Sequence, residues 1–138
     1  MKLLCKSVIT PEGFLPPNIK LVSNFFRTGQ DGIVNGFTFP TIHEQNKNMT
    51  TAREFRSAID MIPRINRNVI VVGGDPSDAT LAQGSGCESE LRIGFLNIDK
   101  SFAKNLPKFI EKYDAIILGD GGLQYINQLI EQIISEPR

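Results

Sequence analysis

No apolar run in this 138-residue chain is long enough to cross a membrane. The start, Met1-Lys2-Leu3-Leu4-Cys5-Lys6, carries too short an apolar stretch for a secretory signal, so a cytoplasmic protein is the simplest expectation. Asn48-Met49-Thr50 spells a glycosylation sequon, which without such a signal is a chance match. Neither charge sign predominates: 15 Lys and Arg balance 15 Asp and Glu with no basic block, which argues against nucleic acid and anionic membranes as partners. Cysteine is scarce. Cys5 and Cys87 form no Cys-x-x-Cys pair and read as reduced, packed thiols. His43 is the only histidine and no Cys or His cluster accompanies it, so a surface or packed imidazole is expected and not a zinc ligand. Gly-x-Gly-x-x-Gly, P-loop and Gly-x-Ser-x-Gly signatures are all missing. What remains, 41% apolar and 22% charged residues, is ordinary for one soluble domain.

The chain is organised around Asn68-Val69-Ile70-Val71-Val72-Gly73-Gly74-Asp75-Pro76-Ser77-Asp78. A β-branched run that stops at two glycines and opens onto Asp-Pro-Ser-Asp predicts a buried strand, a tight turn and a helix start. In open α/β sheets, ligands bind at such carboxyl strand ends.

Residues 1–17, punctuated by Pro11, Gly13, Pro16 and Pro17, read as an irregular lead-in to a domain over 18–138. A short strand is expected at 19–23. A small hairpin follows, with Phe25-Phe26 and Ile33-Val34 flanking the turn Gly29-Gln30-Asp31-Gly32. Thr51 and Glu54 form a capping-box pattern, and Phe55, Ile59 and Ile62 recur at helical spacing up to Pro63. After the strand at 69–73, a helix from Pro76 to about Gln83 stops at Gly84-Ser85-Gly86. A strand at 91–96 and a helix from Asp99 to Lys112, interrupted by Pro107, come next. The last strand is 115–118, and the last helix aligns Leu123, Ile126, Ile130 and Ile133 on one face. Phe55, Phe102, Phe109 and the isoleucine stripe sit at helical spacing and are expected to be core, not a cofactor box. Continuous apolar strands alternating with helices indicate a mostly parallel α/β sheet.

Each candidate site residue has two readings. Asp75 and Asp78 are carboxylates that could hold magnesium with waters and phosphate oxygens. Equally, Asp75 suits an N-cap, Pro76 the first helical position and Asp78 the acidic third position. Lys47, just before a helix start, could meet a phosphate beside the helix amides, or be a solvated surface lysine. Asp120-Gly121-Gly122 is explained by Asp120 capping the last helix.

From Asn18 to about Ile134 the sequence resembles the C-terminal part of the cytosolic pyrimidine 5′-nucleotidases (5′-nucleotidase III) of the haloacid dehalogenase superfamily. The resemblance rests on Asn18-Ile19-Lys20-Leu21-Val22-Ser23-Asn24, Gly32-Ile33-Val34-Asn35-Gly36-Phe37 and Ile42-His43 with Asn46-Lys47. It continues through Ile93-Gly94-Phe95-Leu96-Asn97 and Tyr113-Asp114-Ala115-Ile116-Ile117-Leu118. It implies a partial haloacid-dehalogenase-like three-layer sandwich with a small β-hairpin. It also implies magnesium-dependent hydrolysis of pyrimidine nucleoside monophosphates through an aspartyl-phosphate. Lys47 would be the phosphate-binding lysine, and Gly73 and Asp78 would belong to the acidic metal loop. That loop's first aspartate falls on Gly74, with Asp75 one place later, so the resemblance implies a magnesium site kept only in part.

The family's nucleophile motif, Asp-x-Asp, occurs nowhere in these 138 residues, and its serine motif and helical cap are not recognisable. The expectation is a truncated or degenerate nucleotidase-like module, catalytically inactive alone, with a binding or interaction role. The alternative is one part of an active 5′-nucleotidase, completed by another chain or an upstream segment. The strands carrying the first two motifs lie mid-sheet in this superfamily. Their loss implies an open sheet that pairs with another copy or with a complementing nucleotidase half.

Overall fold

The computed structural model describes residues 19, 22–37, 41–54 and 68–135. The chain divides into two compact units, one of Met1–Val69 with Thr80–Glu90 and one of Ile70–Ala79 with Leu91–Arg138.

In the first unit, β1 (Phe26–Thr28) and β2 (Val34–Phe37) form the expected antiparallel hairpin. Its turn is closed by Gly29 N–H donating to the Ile33 carbonyl at 2.8 Å, with Gly32 at φ +76° where a left-handed residue is needed. Phe26 and Phe37 pair across the strands with ring centroids 5.3 Å apart. The strand expected at 19–23 is not seen in its described part: Ile19, Val22 and Ser23 have no regular structure, and Lys20 and Leu21 lie outside the described residues. Asn24 instead does the work of a strand partner. Its amide donates to the Ile42 carbonyl and accepts the Ile42 N–H, both at 2.7 Å.

Helix α1 spans Met49–Glu54, and its cap lies three residues before the expected Thr51. The cap is Asn48, whose side chain accepts the Thr51 N–H at 3.0 Å. The first-turn amides of Met49 and Thr50 donate to the carbonyls of Leu81 and Gln83, at 3.0 and 3.1 Å. Gly84, at φ +82°, packs so closely on Thr50 that a side chain there would collide. Phe55, Ile59, Ile62 and Pro63 lie outside the described residues.

β3 (Asn68–Gly73), β4 (Ser89–Leu96) and β5 (Ala115–Leu118) form a sheet in the order β3-β4-β5, which apart from the first two residues of β3 and of β4 belongs to the second unit. β4 and β5 are parallel, with Ile93 opposite Ala115 and Leu96 opposite Leu118. Helix α2 (Phe102–Lys112) forms the crossover and packs on β5. Pro107 sits inside α2 without ending it. The one bond it removes, toward residue 103, is offset by the packing of Phe102, Leu106 and Phe109 against Ala79, Leu96, Tyr113 and Ile116. Gly94 lies beneath that cluster, and a Cβ on it would stand 2.8 Å from both the Phe109 and Tyr113 rings.

Helix α3 (Gln124–Ser135) begins four residues after Asp120, which therefore does not cap it. Its expected apolar face exists, but only Ile126 is buried. Leu123 and Ile133 are 59% and 55% exposed, and Ile130 is also exposed. Among the described residues, no helix is long and apolar enough to cross a membrane.

Candidate functional site

The end of β3 turns at Gly73-Gly74 into a short 3-10 helix, Pro76–Thr80, and not into the expected α-helix reaching Gln83. Residues 81–84 continue as turns, and the carbonyls of Leu81 and Gln83 accept the first amides of α1. The acidic residues organise this corner reciprocally. Asp75 Oδ1 accepts the Ser77 N–H at 2.8 Å, which makes it the cap of the 3-10 helix. Asp78, in the third position, reaches back so that its Oδ2 accepts the N–H groups of both Gly74 and Asp75 at 3.0 Å. This is a capping box built from two aspartates. Asp78 N–H closes the loop on the Asp75 carbonyl at 2.9 Å. Gly73 is required by space: a Cβ there would collide with the Asp78 side chain and stand 2.6 Å from the Tyr113 hydroxyl.

Tyr113 had no assigned role in the sequence. It follows α2 directly, in extended backbone, and its hydroxyl donates to the Asp75 carbonyl at 2.6 Å. Burial, and then the charges of Asp78 and Asp75, push its phenol up to about 12, so it is a neutral donor at physiological pH. The tyrosine before a predicted strand was visible in the sequence; that its hydroxyl serves a turn 38 residues away was not.

Lys47 belongs to the first unit and the acidic turn to the second, so each is described in its own surroundings. Lys47 is half-buried between the 43–46 turn and Asn48. Asn46 fixes that turn by accepting the His43 N–H at 2.7 Å and donating to the Thr41 carbonyl at 2.9 Å. His43 is exposed, and its Nδ1 accepts the Gln45 N–H at 3.3 Å, which gives it a turn-building role. The helix amides expected beside Lys47 are committed: Met49 and Thr50 donate to backbone carbonyls and Thr51 to Asn48. A phosphate at Lys47 would therefore be met by the ammonium and not by these amides.

Asp75 and Asp78 are the right donor type for magnesium, which takes one or two protein carboxylates with waters and phosphate oxygens. Each has turned one oxygen onto backbone amides. Among the described residues, no three His, Cys, Asp or Glu side chains are grouped as a metal set. The pair fits magnesium as a partial set only.

The family model for pyrimidine 5′-nucleotidase (UMPH-1) matches residues 3–134. The 7-methylguanosine phosphate-specific 5′-nucleotidase B of Xenopus laevis is 30% identical over 132 residues, covering 95% of this chain and 44% of that protein. The enzymes of the same name from Drosophila melanogaster and Homo sapiens are each 34% identical, over 92% and 87% of this chain and 39% of theirs. A crystal structure of cytosolic 5′-nucleotidase IIIB bound to cytidine matches with a TM-score of 0.74 and 31% identity, over 93% of this chain and 42% of that one. The chain thus spans less than half the length of the relatives it matches. Its sheet and helices are those of the haloacid-dehalogenase-like nucleotidase fold, as the sequence implied. The chain belongs to the pyrimidine 5′-nucleotidase family.

Proposed function

We propose that these 138 residues form a nucleotidase-family module that is catalytically inactive alone and contributes part of a phosphate and magnesium site. The observation that carries this reading is the acidic turn at the end of β3, with Asp75 and Asp78 together, in a sequence without an Asp-x-Asp. Lys47 is the phosphate-binding candidate of the first unit, and Asp75 and Asp78 are the magnesium-binding candidates of the second. Magnesium bound there would neutralise phosphate oxygens; the aspartate that would attack phosphorus is not among these residues. The ligand class is a nucleoside monophosphate. The family resemblance points to a pyrimidine base, while the relatives' names point to 7-methylguanosine phosphate.

A second reading, part of an active nucleotidase completed by another polypeptide, has its own support. Among the described residues β3 is an edge strand with β4 as its one neighbour, and most of the apolar face of α3 is exposed. Parallel sheets are ordinarily covered on both faces and paired at apolar edges.

The test is phosphate release from cytidine, uridine and 7-methylguanosine monophosphates with magnesium, together with thermal melts under the same conditions. The expected result is no turnover above the blank and a higher melting midpoint with nucleotide plus magnesium, because a ligand that binds the native state raises it. Turnover by the purified chain would sink the inactive reading. An unmoved midpoint would sink the binding role.

A further inference from the structure

Asp75 is gripped through its backbone from both sides. Its N–H donates to Asp78 Oδ2 at 3.0 Å, and its carbonyl accepts the Asp78 N–H at 2.9 Å and the Tyr113 hydroxyl at 2.6 Å. The first two bonds are local and belong to the 3-10 start itself. The third comes from another element altogether. Tyr113 leaves α2 with φ −113° and ψ 145°, its ring stacked on Phe109 at 5.1 Å and only 6% of the residue exposed. Two glycines make room for this one phenol on neighbouring strands. Gly94 of β4 lies under the ring, and Gly73 of β3 lies against the hydroxyl.

A phenylalanine would fill the same slot without a polar atom to satisfy. The hydroxyl is therefore explained by the bond it makes and not by the packing of the ring. We infer that Tyr113 is a positioning residue, which fixes the Asp75 carbonyl and thereby sets where the Asp75 carboxylate stands at the end of β3 to meet a divalent cation. The cation rests on the nucleotidase reading above; the latch itself stands on the geometry alone.

Tyr113→Phe in the full chain separates the two. Amide hydrogen exchange should accelerate about tenfold at Gly74, Asp75 and Ser77, while Ile93 and Leu96 in the sheet keep their protection. Titration with magnesium alone, followed through the Asp75 and Asp78 amide resonances, should show the apparent dissociation constant raised about fivefold in the variant. Unchanged exchange in the turn overturns the latch. Equal acceleration in the turn and the sheet also overturns it, since that is what a general packing role would produce. If the exchange pattern changes as expected but magnesium moves no resonance even in the wild-type chain, the positioning of a metal ligand is overturned, together with the magnesium share of the proposed function.

Discussion

Arg92 and Asp114 meet fork to fork. The guanidinium donates to Asp114 Oδ1 at 3.0 Å and to Oδ2 at 3.2 Å, the Arg92 N–H donates to Oδ2 at 2.8 Å, and the Asp114 N–H donates back to the Arg92 carbonyl at 2.9 Å. The hydrogen bonds from the Arg92 side chain, and then from its backbone, hold the Asp114 carboxyl below its ordinary value of 3.8. A carboxyl lowered in the folded state contributes stability above its unfolded value and loses it as pH falls through the folded one. Both side chains are 38% exposed, so the contribution is discounted to about 0.5 kcal/mol. Urea titrations from about pH 5 downward should show a decline in stability, part of which disappears in Asp114→Asn. An identical decline in that variant would assign the acid sensitivity to other groups.

Gly94→Ala should be costly for so small a change. The added methyl meets two ring edges at 2.8 Å, closer than carbon atoms sit, and neither ring belongs to a flexible chain end. Overpacking of this kind costs about 1–3 kcal/mol. Chemical denaturation should show a lower midpoint with an unchanged slope. A variant as stable as the parent would mean that the Phe109–Tyr113 stack yields freely.

Asp78→Ala removes the acceptor shared by the Gly74 and Asp75 amides. The loss of such a cap costs about 1–2 kcal/mol. Asp78→Asn, which keeps a carbonyl oxygen, should recover part of that stability while discarding the charge. A comparison of equilibrium unfolding for the two variants thus separates the cap from the anion. Equal losses in both would assign the effect to the charge at the helix start.

On α3 the prediction is a contrast between neighbours on one face. Ile126 is 5% exposed and Ile133 is 55% exposed. Ile126→Ala should cost about 2–4 kcal/mol, while Ile133→Ala should stay within about 0.5 kcal/mol of the parent. A large loss from Ile133→Ala in the isolated chain would mean that its face is covered in solution, for instance by a second copy.

How much of this was legible in the sequence depended on how local the determining forces were. The runs 69–73 and 115–118 and the 26–37 hairpin declared themselves, since β-branched content and glycine turns act over a few residues. The cap of α1 lies three residues before the one the sequence suggests, because Asn48 and Thr51 are both good caps and the amides of Met49 and Thr50 find partners in the carbonyls of Leu81 and Gln83. Asp75-Pro76-Ser77-Asp78 marks a helix start but not the kind of helix that follows, and a 3-10 helix forms. Periodicity showed that Leu123, Ile126, Ile130 and Ile133 share a face, but periodicity says nothing about what lies against it. At the candidate site, the capping roles of Asp75 and Asp78 could be read directly. Tyr113 could not, because the partner of its hydroxyl is fixed by tertiary packing.

The parallel pairing of β4 with β5 has a kinetic consequence. Residues 89–118 are a contiguous β-α-β segment whose strand partners, such as Ile93 and Ala115, lie close in sequence. Closing that loop is entropically easier than bringing the turn after β3 to Tyr113. The segment is therefore the part of the second unit expected to form in the folding transition state, with the acidic turn fastened afterwards. In stopped-flow experiments Tyr113→Phe should leave the refolding rate nearly unchanged and hasten unfolding, while Gly94→Ala should slow refolding. Within the second unit, the turn from Gly73 to Asp78 is then expected to close last and open first.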